Sequence, residues 1–309
     1  MTDICPELYT KEAENIIKSI NILDNFCCKK QQKYENIANL YKNAGNLYKM
    51  KDLKSSYECY EKSLYYFSKI PRENKKNIAD CSINCALTCD KENHELKINY
   101  YIKAIDNYLL EGFIDKIPKF YENIADIYLS INDYENAILY YDKVCVQNNN
   151  YDTCDTILKK EEIYNKLGLI YIINLNDYEK GLEIYKKYEY LYNKNNVKGN
   201  LSNHIIDYKK YFIITVLLVL LKKDYSQALV LLSYYESICR NLKDDYNGIR
   251  TLIINIQNYN VEKYDIENDI EKKEKIIISL CNDFIGRSNN IIIKNVLNKI
   301  LFNICDKNL

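Results

Sequence analysis

Three cysteines are the first candidates for chemistry in this sequence. Cys81, Cys85 and Cys89 follow one another at intervals of four residues, and cysteine thiolates are common zinc ligands. Zinc knuckles usually use a C-x-x-C pair, whereas a spacing of four places side chains along one face of a helix. Free cysteine is also among the most buried residue types. We therefore favour three small core residues over a metal site.

Histidine offers little more for catalysis. The only two histidines, His94 and His204, are far apart in the sequence, and each is more typical of a loop or a helix surface than of a general base, which needs paired titratable groups. No segment matches the dinucleotide fingerprint, the phosphate-binding P-loop or the H-E-x-x-H zinc motif. We predict that the protein is not an enzyme and has no cofactor and no metal.

Overall charge gives no reason to expect a nucleic-acid partner. The 43 basic and 43 acidic side chains cancel, whereas binding to a polyanion needs an excess of Lys and Arg. The 7 glycines and 3 prolines provide few of the turns that a β-rich fold requires. Composition therefore favours an all-helical protein that does not bind nucleic acid.

A repeated turn indicates which helices position the other residues. Each copy has an aspartate followed by Tyr or Leu, and then a small residue three positions later. The copies are Asp52-Leu53 with Ser56, Asp133-Tyr134 with Ala137, Asp177-Tyr178 with Gly181, and Asp224-Tyr225 with Ala228. The aspartate can cap the following helix, and the small residue lets two helices approach closely. Intervals near 45 residues are typical of tetratricopeptide-like helix pairs or related repeats.

The repeat predicts an all-α fold, a right-handed α-solenoid of tetratricopeptide-like antiparallel helix pairs with a C-terminal helical cap. Residues 1–245 are expected to form the helical-repeat sheet and residues 246–309 the C-terminal bundle. The predicted pairs are Tyr34–Tyr48 with Leu53–Ser68, Lys75–Cys89 with Glu95–Leu110, Ile117–Ile131 with Tyr134–Cys145, Ile157–Ile173 with Tyr178–Tyr192, and His204–Leu221 with Tyr225–Asn241. Residues 260–309 are expected to form three shorter helices, broken near Tyr264 and Gly286.

The pattern of apolar residues distinguishes a buried core helix from a segment that enters a membrane. The most apolar segment, Tyr211–Leu221, lies between two lysine pairs and is shorter than the roughly 20 residues that span a bilayer. We predict a buried helix rather than a membrane hairpin. The 32 tyrosines recur at helical spacing, which favours core packing over a binding stripe because other repeats carry Leu or Ile at the same positions.

Five short stretches stand in a fixed order along the chain. They are Ala44–Asp52, Ala104–Tyr108, the block of Gly112, Lys119 and Ile124–Tyr128, then Asp207–Phe212, and Asn260–Tyr264. In this order they resemble the SNAP family, soluble attachment proteins that connect SNARE complexes to the N-ethylmaleimide-sensitive fusion ATPase. The similarity covers roughly residues 10 to 275.

The resemblance implies an adaptor in intracellular vesicle transport and membrane fusion, with SNARE complexes of syntaxin-like proteins and the ATPase as partners. Basic side chains are expected to meet the acidic SNARE bundle. Lys119 aligns with a family lysine that contacts this bundle, and Lys159 and Lys160 lie near a second. Without the resemblance, each would be interpreted as an ordinary solvated charge.

Both ends of the chain depart from the family pattern. Ile22, Leu23 and Phe26 replace a glycine-rich membrane loop with adjacent phenylalanines, and weak insertion into a membrane and ordinary packing are both open. Leu309 stands where the family has a leucine important for the ATPase, with Glu262 and Asp265 as acidic neighbours. Few acids surround Leu309, so the protein is either a working attachment protein or a SNARE binder that recruits the ATPase poorly and slows disassembly.

A second class of function remains open, namely a general tetratricopeptide-like scaffold for protein–protein interaction with no connection to membrane fusion. Location is predicted from the N-terminus, where no charged region precedes an apolar one. We expect a cytoplasmic protein, peripheral on membranes, with reduced thiols. Its enrichment in Asn, Ile, Lys and Tyr is typical of A+T-rich genomes, and if the source is viral the expected location is the host cytoplasm.

Overall fold

A computed structural model describes residues 5–21, 24, 29–70, 74–147, 154–197, 208–238, 243–262 and 267–306. In these residues the chain forms fourteen α-helices and no strand. Contacts divide it into two compact units, Met1–Asn149 and Asn150–Leu309. The predicted boundary at residue 245, between a repeat sheet and a cap, stays a prediction.

In its described residues the first unit has a 3₁₀ turn, Ile114–Lys116, and seven α-helices. The α-helices are α1 (Pro6–Lys18), α2 (Lys29–Tyr48), α3 (Leu53–Ser68), α4 (Lys75–Thr88), α5 (His94–Leu110), α6 (Ile117–Ser130) and α7 (Tyr134–Gln147). The pairs α2 with α3, α4 with α5 and α6 with α7 pack closely, and α1 packs on α2. We call α2, α4 and α6 the first helices of their pairs.

The second unit also has seven helices. They are α8 (Cys154–Leu169), α9 (Tyr178–Val197), α10 (Tyr208–Leu221), α11 (Tyr225–Ile238), α12 (Lys243–Glu262), α13 (Glu267–Arg287) and α14 (Ile291–Cys305), and one π turn, Ile170–Asn174, extends α8. The predicted all-α fold of tetratricopeptide-like helix pairs is confirmed.

One helix assignment near the end of the chain was wrong. Residues 260–262 are the last residues of the 20-residue helix α12 rather than a short helix of their own, so two helices follow instead of three. The predicted breaks near Tyr264 and Gly286 agree with the observed ends of α12 and α13.

The aspartate of the repeated turn serves two helices at once. The Asp133 backbone N–H donates to the Tyr128 carbonyl at 2.9 Å and closes α6, while the Asp133 carboxylate accepts from the Asn136 N–H at 3.1 Å and caps α7. Asn132 joins them in the left-handed region, at φ 60°. The other three predicted caps are also present, at 3.0 Å each: Lys54 N–H to Asp52, Lys180 N–H to Asp177 and Gln227 N–H to Asp224.

In three of the four turns, and also in α5, a buried tyrosine follows the small residue, whereas Leu232 takes that place after Ala228. Four residues after Ser56, Ala104, Ala137 and Gly181 lie Tyr60, Tyr108, Tyr141 and Tyr185, all almost fully buried. Three of the hydroxyls donate to polar side chains of the preceding helix, namely Asn46 at 2.7 Å, Asp80 at 2.5 Å, and Asp126. The expectation that tyrosine fills the core is confirmed at these four positions.

The fourth hydroxyl differs. Tyr185 OH has no hydrogen-bond partner among the described residues, and it lies over Gly168 of α8. Burial raises the pKa of Tyr185, so the phenol stays neutral. A buried donor without a partner keeps its full desolvation cost.

The Tyr141 hydroxyl has a hydrogen-bond partner and the Tyr185 hydroxyl has none within the described ranges, so replacing each tyrosine by phenylalanine should have different effects on stability. Tyr141→Phe removes a hydrogen bond to a carboxylate and should lower the free energy of unfolding by about 1.5 kcal/mol. Tyr185→Phe removes only an unpaired hydroxyl, so its free energy of unfolding should be unchanged or slightly higher. Urea denaturation followed by circular dichroism measures both, and equal losses in the two variants would contradict the assignment of partners.

Helix α10 is the centre of the second unit. All side chains from Tyr211 to Leu220 are buried, and α9, α11 and α14 pack around the helix. Two side chains in this stretch carry hydroxyls: Thr215 donates to the Tyr211 carbonyl at 2.9 Å, and Tyr211 donates to Glu161 at 3.1 Å. The predicted buried helix is confirmed. Within the described residues, no helix has the length and apolarity needed to cross a bilayer.

Candidate functional site

Lys119 lies near the start of α6, one residue after Pro118, whose fixed φ suits the first turn of a helix. Its Nζ lies 3.1 Å from Glu122 Oε2, and the two side chains differ sharply in exposure, at 65% for Lys119 and 2% for Glu122. The exposed ammonium therefore compensates a buried carboxylate while remaining reachable by a partner. A charge reversal at Lys119 would place two carboxylates together, so a neutral substitution is the cleaner test.

A polar ladder joins the first helices α2 and α4. Lys42 Nζ donates to Asn77 Oδ1 at 3.3 Å, and Lys49 Nζ donates to Asn84 Oδ1 at 3.2 Å. Lys42 also lies 3.9 Å from Asp80 Oδ2. The two lysines are seven residues apart, and so are the two asparagines. The two hydrogen bonds therefore lie two helical turns apart. The ladder was not predicted from the sequence, although both lysines stand 35 residues before their asparagine partners.

The lysines predicted on α8 differ from each other in exposure. Lys159 Nζ lies 2.8 Å from Glu162 Oε2 and is partly exposed, and Lys166 Nζ lies 3.5 Å from the other Glu162 oxygen. Lys160 is buried, at 4% exposure, so its ammonium does not present a charge to a partner as Lys159 does. Lys119 belongs to the first unit and these lysines to the second.

Most residues predicted at the two ends fall outside the described residues. Ile22, Leu23 and Phe26 of the predicted membrane loop are outside them, as are Asp265 and Leu309. Glu262 ends α12, and its side chain is not described. The roles predicted for all six stay predictions. Of the two histidines, His94 begins α5 and His204 is outside the described residues.

The three spaced cysteines are core residues, as predicted. Cys81 and Cys85 are fully buried on α4, and Cys89 follows the helix with 7% exposure. Burial raises the pKa of all three thiols, so they stay protonated. A neutral, buried thiol is a poor nucleophile and a poor metal ligand. In the part of the chain that the structure describes, no group of three or more His, Cys, Asp or Glu side chains is placed to hold a metal ion.

Taken together, the geometry suits recognition rather than bond-making chemistry. The exposed or partly exposed lysines of the candidate site, on α2, α6 and α8, each form an ion pair or a hydrogen bond with a neighbouring side chain. Such partly solvated cations bind acidic surfaces and set the rate and specificity of association.

Comparisons with known proteins address the fold and the family. No curated protein matches the chain. Among solved structures, BtubC (BKLC) from P. vanneervenii is 15% identical, with 76% of this chain and 91% of that chain covered and a TM-score of 0.42. Aspartyl phosphate phosphatase F from Bacillus subtilis is 13% identical, with coverages of 93% and 71% and a TM-score of 0.41. The apo form of the quorum sensor NprR from B. thuringiensis is 15% identical, with coverages of 97% and 87% and a TM-score of 0.38. None of these likenesses bears on function.

A family match is more informative because it covers most of the chain. The sequence model described as soluble NSF attachment protein, SNAP, matches residues 5–269. That range includes Lys119, Lys159, Lys160 and all helices from α1 to α12. The chain therefore belongs to the family of soluble NSF attachment proteins.

Proposed function

We propose that this protein is an adaptor that binds SNARE complexes and recruits the N-ethylmaleimide-sensitive fusion ATPase, which then disassembles them in vesicle transport and fusion. The observation that carries the proposal is the family match over residues 5–269. The coarser conclusion, a protein-interaction adaptor, follows from family membership. Repeated helix pairs suit this role because they offer a long surface to one partner.

SNARE contact is assigned to lysines. Lys119 supplies an exposed ammonium on α6, and Lys159 supplies a partly exposed one on α8. Lys160 belongs to the same proposed contact, but its burial makes Lys159 the better residue to test. The ladder adds two cations, Lys42 in α2 and Lys49 at its C-terminal end, each hydrogen-bonded to an asparagine of α4. An acidic helical bundle is the complementary partner for these side chains.

ATPase recruitment is assigned to the C-terminal end, through Leu309 with Glu262 and Asp265. A weak peripheral membrane contact is assigned to Ile22, Leu23 and Phe26. The proposed place of action is the cytoplasmic face of membranes. This part of the proposal rests on family membership and on the aligned positions of these residues.

Lys119→Gln is the first test of the SNARE contact. We expect the variant to weaken binding to a purified SNARE bundle about three- to tenfold, because one partly screened cation at a protein interface contributes on that scale. Lys180→Gln is the matched control, since Lys180 is 61% exposed and lies 3.4 Å from Asp177 three residues away. Fluorescence anisotropy with a labelled bundle measures both. Equal affinities for wild type and Lys119→Gln would remove Lys119 from the contact.

ATP-dependent disassembly of the same bundle, with this protein as sole adaptor, tests whether the C-terminal end recruits the ATPase. A chain lacking Leu309 should bind the bundle normally and fail to support disassembly by the ATPase. If the wild type binds but supports no disassembly, the protein slows disassembly instead. If the wild type does not bind the bundle at all, the adaptor serves another partner.

A further inference from the structure

The connection between α5 and α6 exposes an unusual amount of apolar surface. All eight residues from Leu109 to Lys116 are exposed. Four of them are large and apolar: Leu109 at 47%, Leu110 at 71%, Phe113 at 36% and Ile114 at 48%. Single exposed apolar residues are ordinary, but a cluster at one turn marks a contact surface. We call residues 109–116 the apolar turn.

The apolar turn has a fixed conformation. Gly112 adopts φ 76°, a value that few other residues accept, and the Phe113 N–H donates to the Tyr108 carbonyl at 3.0 Å. The Phe113 ring then meets the edge of the buried Tyr108 ring, with centroids 5.8 Å apart. Because the backbone is held on both sides of Gly112, Leu110 and Ile114 stay in solvent rather than folding back onto the core.

Lysine ammonium groups lie over aromatic rings at the apolar turn, at the end of α3 and at the start of α2. Lys76 Nζ lies 5.6 Å from the centre of the Phe113 ring, and Lys116 Nζ lies 5.5 Å from it. Lys69 similarly covers Tyr65 at 4.9 Å where α3 ends, and Lys30 lies 5.7 Å from Tyr34 where α2 begins.

These pairs share one edge of the first unit. Consecutive helices run antiparallel, so the start of α2, the end of α3, the start of α4 and the end of α5 lie at one edge, and the opposite ends of these helices lie at the other. The contact of Lys76, at the start of α4, with Phe113 supports this placement. We call the first the lysine–aromatic edge.

We propose that the apolar turn inserts into the interfacial region of a lipid bilayer, with the lysine–aromatic edge facing the headgroups. Aromatic rings and lysines are the side chains that favour the boundary between hydrocarbon and water, because each joins an apolar body to a polar end. The turn projects outward with eight consecutive exposed residues, a shape that suits insertion into a bilayer better than capture of a peptide. The apolar turn shares no residue with the predicted loop of Ile22, Leu23 and Phe26, and the proposal does not depend on the adaptor proposal.

Charge at the apolar turn predicts how binding responds to lipid composition. Lys76 and Lys116 form no ion pair with any described residue, but Glu111 and Asp115 are exposed on the same turn. The two cations and two anions at the turn nearly cancel, but Lys30 and Lys69 lie on the same edge. Apolar insertion should therefore supply most of the binding, with a moderate further gain on anionic lipid that salt reduces.

Vesicle flotation of the full chain tests the proposal. The vesicles contain about 70% phosphatidylcholine and about 30% phosphatidylserine. The double variant Leu110→Ser/Ile114→Ser should reduce the bound fraction about tenfold, because it removes the two most exposed apolar side chains that would be buried in lipid. The matched control is Met50→Ser/Leu53→Ser at the opposite edge, where Met50 is 92% and Leu53 48% exposed, and it should float like wild type.

Two further measurements show whether a loss of flotation comes from the apolar turn. All four substituted side chains are exposed, so unchanged thermal unfolding shows that the variants are folded. A triple variant, Ile22→Ser/Leu23→Ser/Phe26→Ser, tests the predicted N-terminal loop on its own. Its bound fraction is compared with that of Leu110→Ser/Ile114→Ser. If Leu110→Ser/Ile114→Ser floats like wild type, or if the control falls equally, the proposal is wrong. It is also wrong if the double variant changes only the oligomeric state in sedimentation, since the turn would then join two copies of this chain.

Discussion

Val216→Asp is expected to unfold the second unit. Val216 lies in the middle of α10 and is fully buried, and the side chains on either side of it along the helix are buried as well. The surrounding cluster is built from apolar side chains, so an introduced carboxylate would find neither water nor a cation. An unpaired buried charge costs more than about 4–5 kcal/mol, a large share of the roughly 5–15 kcal/mol that stabilises a typical protein.

Val230→Asp is the matched control for this substitution. Val230 also lies within a helix of the second unit, on α11, but it is 68% exposed. The same carboxylate there should change the urea midpoint by little. Circular dichroism in urea measures helix content for both variants, and a Val216→Asp protein with the wild-type midpoint would show that α10 is not a core helix.

Gly168→Ala is expected to lower the free energy of unfolding by about 2–3 kcal/mol, because it overpacks a closed interior. A Cβ at this position would lie 2.5 Å from the Tyr185 hydroxyl oxygen and 2.8 Å from its ring Cζ. Tyr185 is almost completely buried, so its ring cannot move aside freely. The clash outweighs the gain of up to about 1 kcal/mol that alanine usually brings to a helix.

Gly286→Ala should change the free energy of unfolding in the opposite direction. Gly286 lies in α13, and no heavy atom would come within 4 Å of an added Cβ. Alanine there should raise the free energy of unfolding by up to about 1 kcal/mol through helix propensity alone. Thermal denaturation ranks the two variants, and a stabilising effect of Gly168→Ala would mean that the contact between α8 and α9 is looser than described.

Local signals predicted the helix ends well. Asp133 and its three counterparts cap helices as expected because capping depends on a side chain and a backbone only two or three residues apart. Asn132 is a residue type that accepts the left-handed conformation, whereas Lys223 adopts φ 64° in the equivalent turn without any local preference for it. There the packing of α10 against α11 determines the backbone, and packing is not visible in a local sequence pattern.

Candidate site residues were harder to predict than the fold. The family resemblance pointed to Lys119, and the spacing of three residues makes an ion pair with Glu122 foreseeable. The burial of Glu122 was not foreseeable, since it depends on how α6 meets its neighbours. Lys159 and Lys160 are adjacent in the sequence, yet one is partly exposed and the other is buried, a difference set by the rotation of α8 in its unit.

The continuous burial of α10 also matters before the protein is folded. From Phe212 to Leu220 the sequence has no charge, no proline and no glycine, and it is rich in β-branched and leucine side chains. Such a segment, when exposed in an unfolded chain, pairs readily with copies of itself as intermolecular β-structure. Lys209 and Lys210 precede it and Lys222 and Lys223 follow it, and charges in those positions oppose aggregation. The lysine pairs at the two ends of α10 should therefore also oppose aggregation of the chain before it has folded.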